Sequence, residues 1–112
     1  MTPLDLSAIA KAQTDPDFSP GGWLTFYLFG EPVRHHAIRA RLSSLGAQNL
    51  GGAEGGFVYA KVPVRIDRAS IGKTIDKVQA LALEVGLELH LIDLDSSNEV
   101  GRSKIYTLCR AE

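Results

Sequence analysis

Ile71, Ile75, Val78, Ala82 and Val85 recur at spacings of 4, 3, 4 and 3, which lines all five up along one side of an α-helix. Asp67 or Ser70 is placed to cap the start of that helix, and Gly86 to end it in the left-handed conformation. A helix with a single apolar stripe has to bury it against another layer of structure. A second such helix is predicted from Gly30-Glu31-Pro32, with proline in the first turn where its missing N–H costs nothing, to about Leu45. Its stripe is Val33, Ala37, Ile38, Leu42 and Leu45, and Gly46 closes it as Gly86 closes the other.

What the stripes pack on is read from the segments between them. Trp23 to Phe29 is aromatic and apolar and bounded by glycines, so it is a strand. A short strand from Ala47 to Leu50 follows the first helix, and Gly51 to Gly56 reads as a reversal that needs positive φ angles. Phe57 to Val64 is a strand that tolerates Pro63 only near an edge or bulge. Leu87 to Leu94 is a fourth strand, Asp95 to Ser103 a polar loop, and Lys104 to Arg110 a last strand. The expected class is α+β: a ferredoxin-like split βαβ, βαββαβ plus a C-terminal extra strand, with two helices on one face of an antiparallel sheet. Residues 1–22 are expected to be an arm, with a short helix capped by Asp5 and apolar at Leu6, Ile9 and Ala10, then a proline- and glycine-rich loop. A frayed end is the plain expectation for the arm, and docking on a partner the sharper one. Residues 23–112 form the single domain.

Composition narrows the class of activity. Hydrophobic residues make up 45% and charged residues 22%, which excludes a disordered tail, a collagen-like repeat and a coiled-coil rod. A net charge of -1 gives no general attraction for nucleic acid. The longest uncharged stretch, Phe18 to Gly30, is 13 residues and holds Pro20, Gly21 and Gly22, too short and broken for a span of about 20 apolar residues. No membrane association is expected. The start of the chain lacks a signal-peptide pattern, and Cys109 is the single cysteine, so a cytoplasmic location is expected.

Period-two alternation sorts the strand residues onto two faces. Leu24, Phe26 and Leu28, with Val58, Ala60, Val62 and Val64, suit the core under the helices. Trp23, Tyr27, Phe29, Phe57 and Tyr59, five of the eight aromatics, fall on the opposite side and form one patch if the two strands are neighbours. The arm or the extra strand covers that patch, or it is a protein-binding surface or homodimer interface. Trp23, Tyr27, Phe57 and Tyr59 are then the partner-binding anchors. Asp93 and Asp95, with Glu84, Glu88 and Glu99, give an acidic edge that steers a basic partner segment. The alternative is single-stranded RNA stacked on the same rings, with Lys61, Arg34 and Arg41 on phosphates. Gly56-Phe57-Val58-Tyr59-Ala60 resembles the third-strand motif of the RNA recognition motif family, although Glu54 or Gly55 stands where that family has a basic residue.

No catalytic set is found. His35 and His36 point about 100° apart on a helix, and Arg39 and Ala40 stand where a zinc helix needs its second ligand, so no metal is expected. His90 alternates with leucines and reads as half-buried and structural, although a small enzyme using it in a pocket between sheet and arm is a third reading. Asp93-Leu-Asp95 lacks the glycine and glutamate of a calcium loop. Ser70-Ile-Gly72-Lys73-Thr74 lacks the earlier glycine of a phosphate-binding loop and lies inside the helical stripe. No cofactor is expected.

Several segments together resemble one family. They are Leu45-Gly46-Ala47 at the end of the first helix, then Gly56-Phe57-Val58-Tyr59-Ala60-Lys61-Val62-Pro63-Val64, Ile75-Asp76, and Leu81-Ala82-Leu83-Glu84-Val85-Gly86 before an apolar strand. Over about residues 23–95 the chain is similar to the regulators of ribonuclease E activity, type B. The resemblance implies a ferredoxin-like fold, no catalysis, and regulatory binding to the scaffold region of an RNA-degrading enzyme. The chain departs from that family's strong acidity and adds a strand after Asp95.

Overall fold

The computed structural model describes residues 1–19, 21–53, 56–97 and 104–111. Among them are three α-helices, α1 (Leu6–Gln13), α2 (Pro32–Ser44) and α3 (Arg68–Val85), and one five-stranded sheet. The strands are β1 (Gly22–Phe29), β2 (Gln48–Ala53), β3 (Phe57–Val64), β4 (Glu88–Asp95) and β5 (Ile105–Arg110), in spatial order β2-β3-β1-β4-β5. Every neighbouring pair is antiparallel. The loop expected after Asp95 lies mostly outside the described residues, as do Glu54, Gly55 and Glu99.

The longest helix follows its pattern. Asp67 accepts from the Ser70 backbone N–H at 2.7 Å, and Gly86 closes the helix at φ 76°. Ile71, Val78 and Ala82 are buried, with Ile75 and Val85 partly so. In α2 only Ile38 and Leu42 are fully buried. Val33 stands 79% exposed, because at 3.6 residues per turn it lies about 140° around the helix from Ile38. Ala37, about 100° away, is exposed for the same reason, so the stripe is narrower than expected. Leu24, Phe26 and Leu28 of β1, Val58, Ala60 and Val62 of β3, and Ile92 and Leu94 of β4 complete this core.

The amino-terminal segment is neither frayed nor laid over the far face of the sheet. Thr2 and Asp5 donate their backbone N–H groups to the Arg110 and Leu108 carbonyls at 2.9 and 3.0 Å, so residues 2–5 run along the outer edge of β5. Asp5 then caps α1 through the Ala8 N–H at 3.0 Å. The helix buries Ala8, Ile9 and Ala12 rather than Leu6 and Ala10, since two alanines let its backbone sit close to β5. Phe18 enters the same core and packs on Tyr106 with ring centroids 5.5 Å apart.

The glycine run is also different from its expectation. Gly51 and Gly52 continue β2 opposite Tyr59 and Val58 instead of reversing the chain. A Cβ on Gly51 would stand 2.5 Å from the Tyr59 hydroxyl oxygen, and one on Gly52 would stand 3.1 Å from Arg39 Nη2. Each glycine is the floor under a large side chain, one on each face of the sheet. Within the described part of the run only Gly56, at φ 84°, needs the left-handed region.

Candidate functional site on the open sheet face

The face of the sheet away from the core is ordered in rows by the strand register. Tyr27 of β1 sits opposite Tyr59 of β3 and Leu91 of β4, and Leu91 opposite Arg110 of β5. The two tyrosine rings lie 6.4 Å apart. Phe29 sits opposite Phe57, their rings 5.1 Å apart, and the His90 imidazole packs on both at 5.3 and 5.5 Å. Tyr27, Phe57, Tyr59 and His90 are half-buried and Phe29 is exposed. Of the expected anchors, Tyr27, Phe57 and Tyr59 are therefore neighbours. Trp23, opposite Pro63 and Asp95, lies further along the same face beside Val64, Arg65 and Ser96.

Between Trp23 and the tyrosines runs a polar row, Gln48–Lys61–Thr25–Asp93–Thr107, one residue from each of the five strands. Its centre is buried, with Lys61 at 6%, Thr25 at 2% and Asp93 at 7% exposed, and Asp95 in the next row at 2%. Asp95 Oδ2 accepts from Lys61 Nζ at 2.6 Å and from the Thr25 hydroxyl. Lys61 Nζ also donates to Thr25 Oγ1 at 3.1 Å, while Asp95 Oδ1 is buried with no partner among the described residues. Asp93 Oδ1 accepts from the Thr107 hydroxyl at 2.9 Å. Burial pushes the Asp93 carboxyl above the ordinary carboxylate range, and the Asp95 charge adds to the effect. The Tyr27 hydroxyl is likewise pushed up, by burial first and then by Asp93 and Asp95.

These contacts correct the acidic edge. Asp93 and Asp95 are not exposed steering charges: their strand is central enough for the tyrosines, Trp23 and β5 to enclose them, and their charge is directed at Lys61 and Thr107. Glu84 pairs with Arg41 across the two helices, and Glu88 faces His90 Nε2 at 3.3 Å. The row also fixes register, because a one-residue slip would turn Lys61 into the core under α2 and α3.

The basic residues assigned to phosphates are likewise placed elsewhere. Lys61 is buried, Arg41 is held by Glu84, and Arg34 Nη1 donates to the Val85 carbonyl at 3.0 Å, at the carbonyl end of α3. His35 Nε2 lies 3.1 Å from both the Gly30 and Gly56 carbonyl oxygens. Both partners are acceptors, so Nε2 carries the proton and forks between them, tying the β1–α2 turn to the start of β3. Cys109 is buried, and burial raises its thiol above the ordinary range.

Beside the ring cluster the face is concave. Tyr27, Phe57, His90, Leu91, Thr107, Arg110 and Ala111 line a cleft of about 540 Å³. Two bulges break the alternation around this cleft. The pairing skips His90 between Leu91 opposite Tyr27 and Leu89 opposite Leu28, so Leu89 enters the core while Leu91 faces out. It skips Leu108 between Cys109 and Thr107, which brings Arg110 to the side of Thr107.

Among the described residues no group of three His, Cys, Asp or Glu is placed to hold a metal ion, and no helix is long and apolar enough to cross a membrane. No protein-family model, curated protein or solved structure matches the chain.

Proposed function

We propose that this chain is a non-enzymatic, cytoplasmic, ferredoxin-like domain that regulates a protein partner by docking it on the open sheet face. The observation that carries the reading is the half-exposed cluster of Tyr27, Tyr59, Phe57, Phe29 and His90, which neither the amino-terminal segment nor β5 covers. Aromatic side chains give much contact area for few rotatable bonds, and they dominate the energetic centres of protein interfaces. The strand order β2-β3-β1-β4, with α2 and α3 on the core side, supports the ferredoxin-like assignment, β5 being the added strand. The similarity of residues 23–95 to the type B regulators of ribonuclease E activity suggests the class of partner, the scaffold region of an RNA-degrading enzyme. The RNA alternative has its stacking surface but loses the three cations assigned to it, since Lys61 is buried and Arg34 and Arg41 are engaged on the helix side, which leaves Arg110 beside the rings.

The test is capture of the scaffold region of ribonuclease E by the full chain and by its Tyr27→Ala/Tyr59→Ala variant, with circular dichroism to verify folding. Recovery by the parent and loss in a folded variant is the expected result. Equal recovery removes the rings from the interface. In parallel, binding of a short single-stranded oligouridine at low salt with no protein partner present would favour the RNA reading.

A further inference from the structure

Resting on that reading of the open face, the geometry points to the chemistry of the docked segment. We infer that the cleft between Tyr27, Phe57, Leu91 and Arg110 receives an acidic-apolar stretch of the partner. One of its Asp or Glu carboxylates lies on the Arg110 guanidinium, and a neighbouring large apolar side chain lies against the rings.

Three observations support this. First, the cleft is an open groove of about 540 Å³ whose apolar walls are Tyr27, Phe57 and Leu91. Second, the charges around it are unequally engaged. Glu88 already faces His90, and Asp93 is buried beneath the face and bonded to Thr107. The Arg110 guanidinium is close enough to lower the Asp93 pKa, yet no carboxylate among the described residues comes within ion-pair distance of it. Third, Arg110 is exposed while its backbone is pinned, its N–H donating to Thr2 Oγ1 at 3.0 Å and its carbonyl accepting from Thr2 N–H at 2.9 Å. A planar, always-charged fork on a fixed backbone beside an apolar wall matches a carboxylate next to an apolar group. A basic segment would meet Arg110 with like charge, and a purely apolar one would bury the guanidinium unpaired.

The experiment titrates the 15N-labelled full chain with two peptides, acetyl-Glu-Leu-Trp-Glu-amide and its glutamine counterpart acetyl-Gln-Leu-Trp-Gln-amide, following the amides of Tyr27, Leu91 and Arg110. The acidic peptide is expected to move these resonances and to bind about tenfold more tightly than the glutamine one, the effect of one hydrogen-bonded charge pair. Arg110→Gln should erase the difference, and Arg68→Gln, on the outer side of α3, should leave it intact. Equal affinities in the parent, or erasure by Arg68→Gln, overturn the charge recognition while leaving apolar docking on the face standing. If neither peptide moves those amides the inference fails. Scaffold capture by the parent and its Tyr27/Tyr59 variant then decides the docking reading separately.

Discussion

Replacing Lys61 by methionine removes one half of an ion pair that the sheet has taken out of water. The side chains of Lys61 and Asp95 are 8% and 2% exposed, with Nζ and Oδ2 2.6 Å apart. At that distance and an effective dielectric constant of about 20 the attraction is about 6 kcal/mol. Burying the two ions opposes it by several kcal/mol each, so the intact pair is near neutral for stability. Lys61→Met leaves the opposing term for Asp95 without the attraction, and should cost about 3–5 kcal/mol. In a domain whose whole stability is of order 5–15 kcal/mol, that lowers the melting temperature by roughly 10–20 °C. Lys61→Met combined with Asp95→Leu should recover most of the loss. A deficit of about 1–2 kcal/mol should remain, because the Thr25 hydroxyl loses both of its partners. Urea and thermal unfolding followed by circular dichroism give the three values. Lys61→Met costing less than about 1 kcal/mol, or a double variant no more stable than Lys61→Met alone, would refute the buried-pair account.

The two kinds of glycine should respond oppositely to alanine. Gly51→Ala forces the Tyr59 ring aside and should destabilise by about 1–2 kcal/mol, with a shift in the Tyr59 side-chain resonances. Gly72→Ala, inside α3 with nothing within 4 Å of the added carbon, should stabilise by up to about 1 kcal/mol in the same denaturation assay. His35→Ala removes the forked bond to Gly30 and Gly56 and should cost about 1 kcal/mol, with faster amide exchange at Gly30, whose N–H donates to Gly56. Asp93→Asn tests the raised carboxyl. A folded pKa above the unfolded one means the native state holds more protons in that window, so stability falls as pH rises from the ordinary carboxylate value through the raised one. The asparagine variant should therefore be the more stable protein at neutral pH and should lose that advantage below the ordinary carboxylate range. A parallel pair of stability curves would contradict it.

Features that repeat within one element were readable from residue order. The α3 stripe, the Asp67 cap, the Gly46 and Gly86 terminators and the opposed faces of β1 and β3 are all set within a few residues of chain, and their local periods agree with the packing. Features set by a partner strand were not. Asp93 and Asp95 look like surface acids until the register places Lys61 and Thr25 across from them. Gly51 and Gly52 look like a turn until Tyr59 and Arg39 are seen to lie over them. The bulge at His90 turns Leu89 into the core although Leu91, Asp93 and Asp95 face out, and the bulge at Leu108 brings Arg110 to the open face, so strict alternation misplaces Leu89 and Arg110. The ring cluster was legible and the cleft beside it was not, because the first depends on unbroken alternation and the second on two breaks in it.

The hydrogen bonds from Thr2 and Asp5 to β5 leave the two margins of the sheet unlike each other. On one side the chain's own beginning caps the outward carbonyls of Arg110 and Leu108. Trimming the leading residues, or fusing a rigid tag onto Met1, would unzip that selvedge and offer a ribbon of bare acceptors to any neighbouring molecule. Residues 2–5 therefore shield the outer edge of β5 from pairing with a neighbouring molecule.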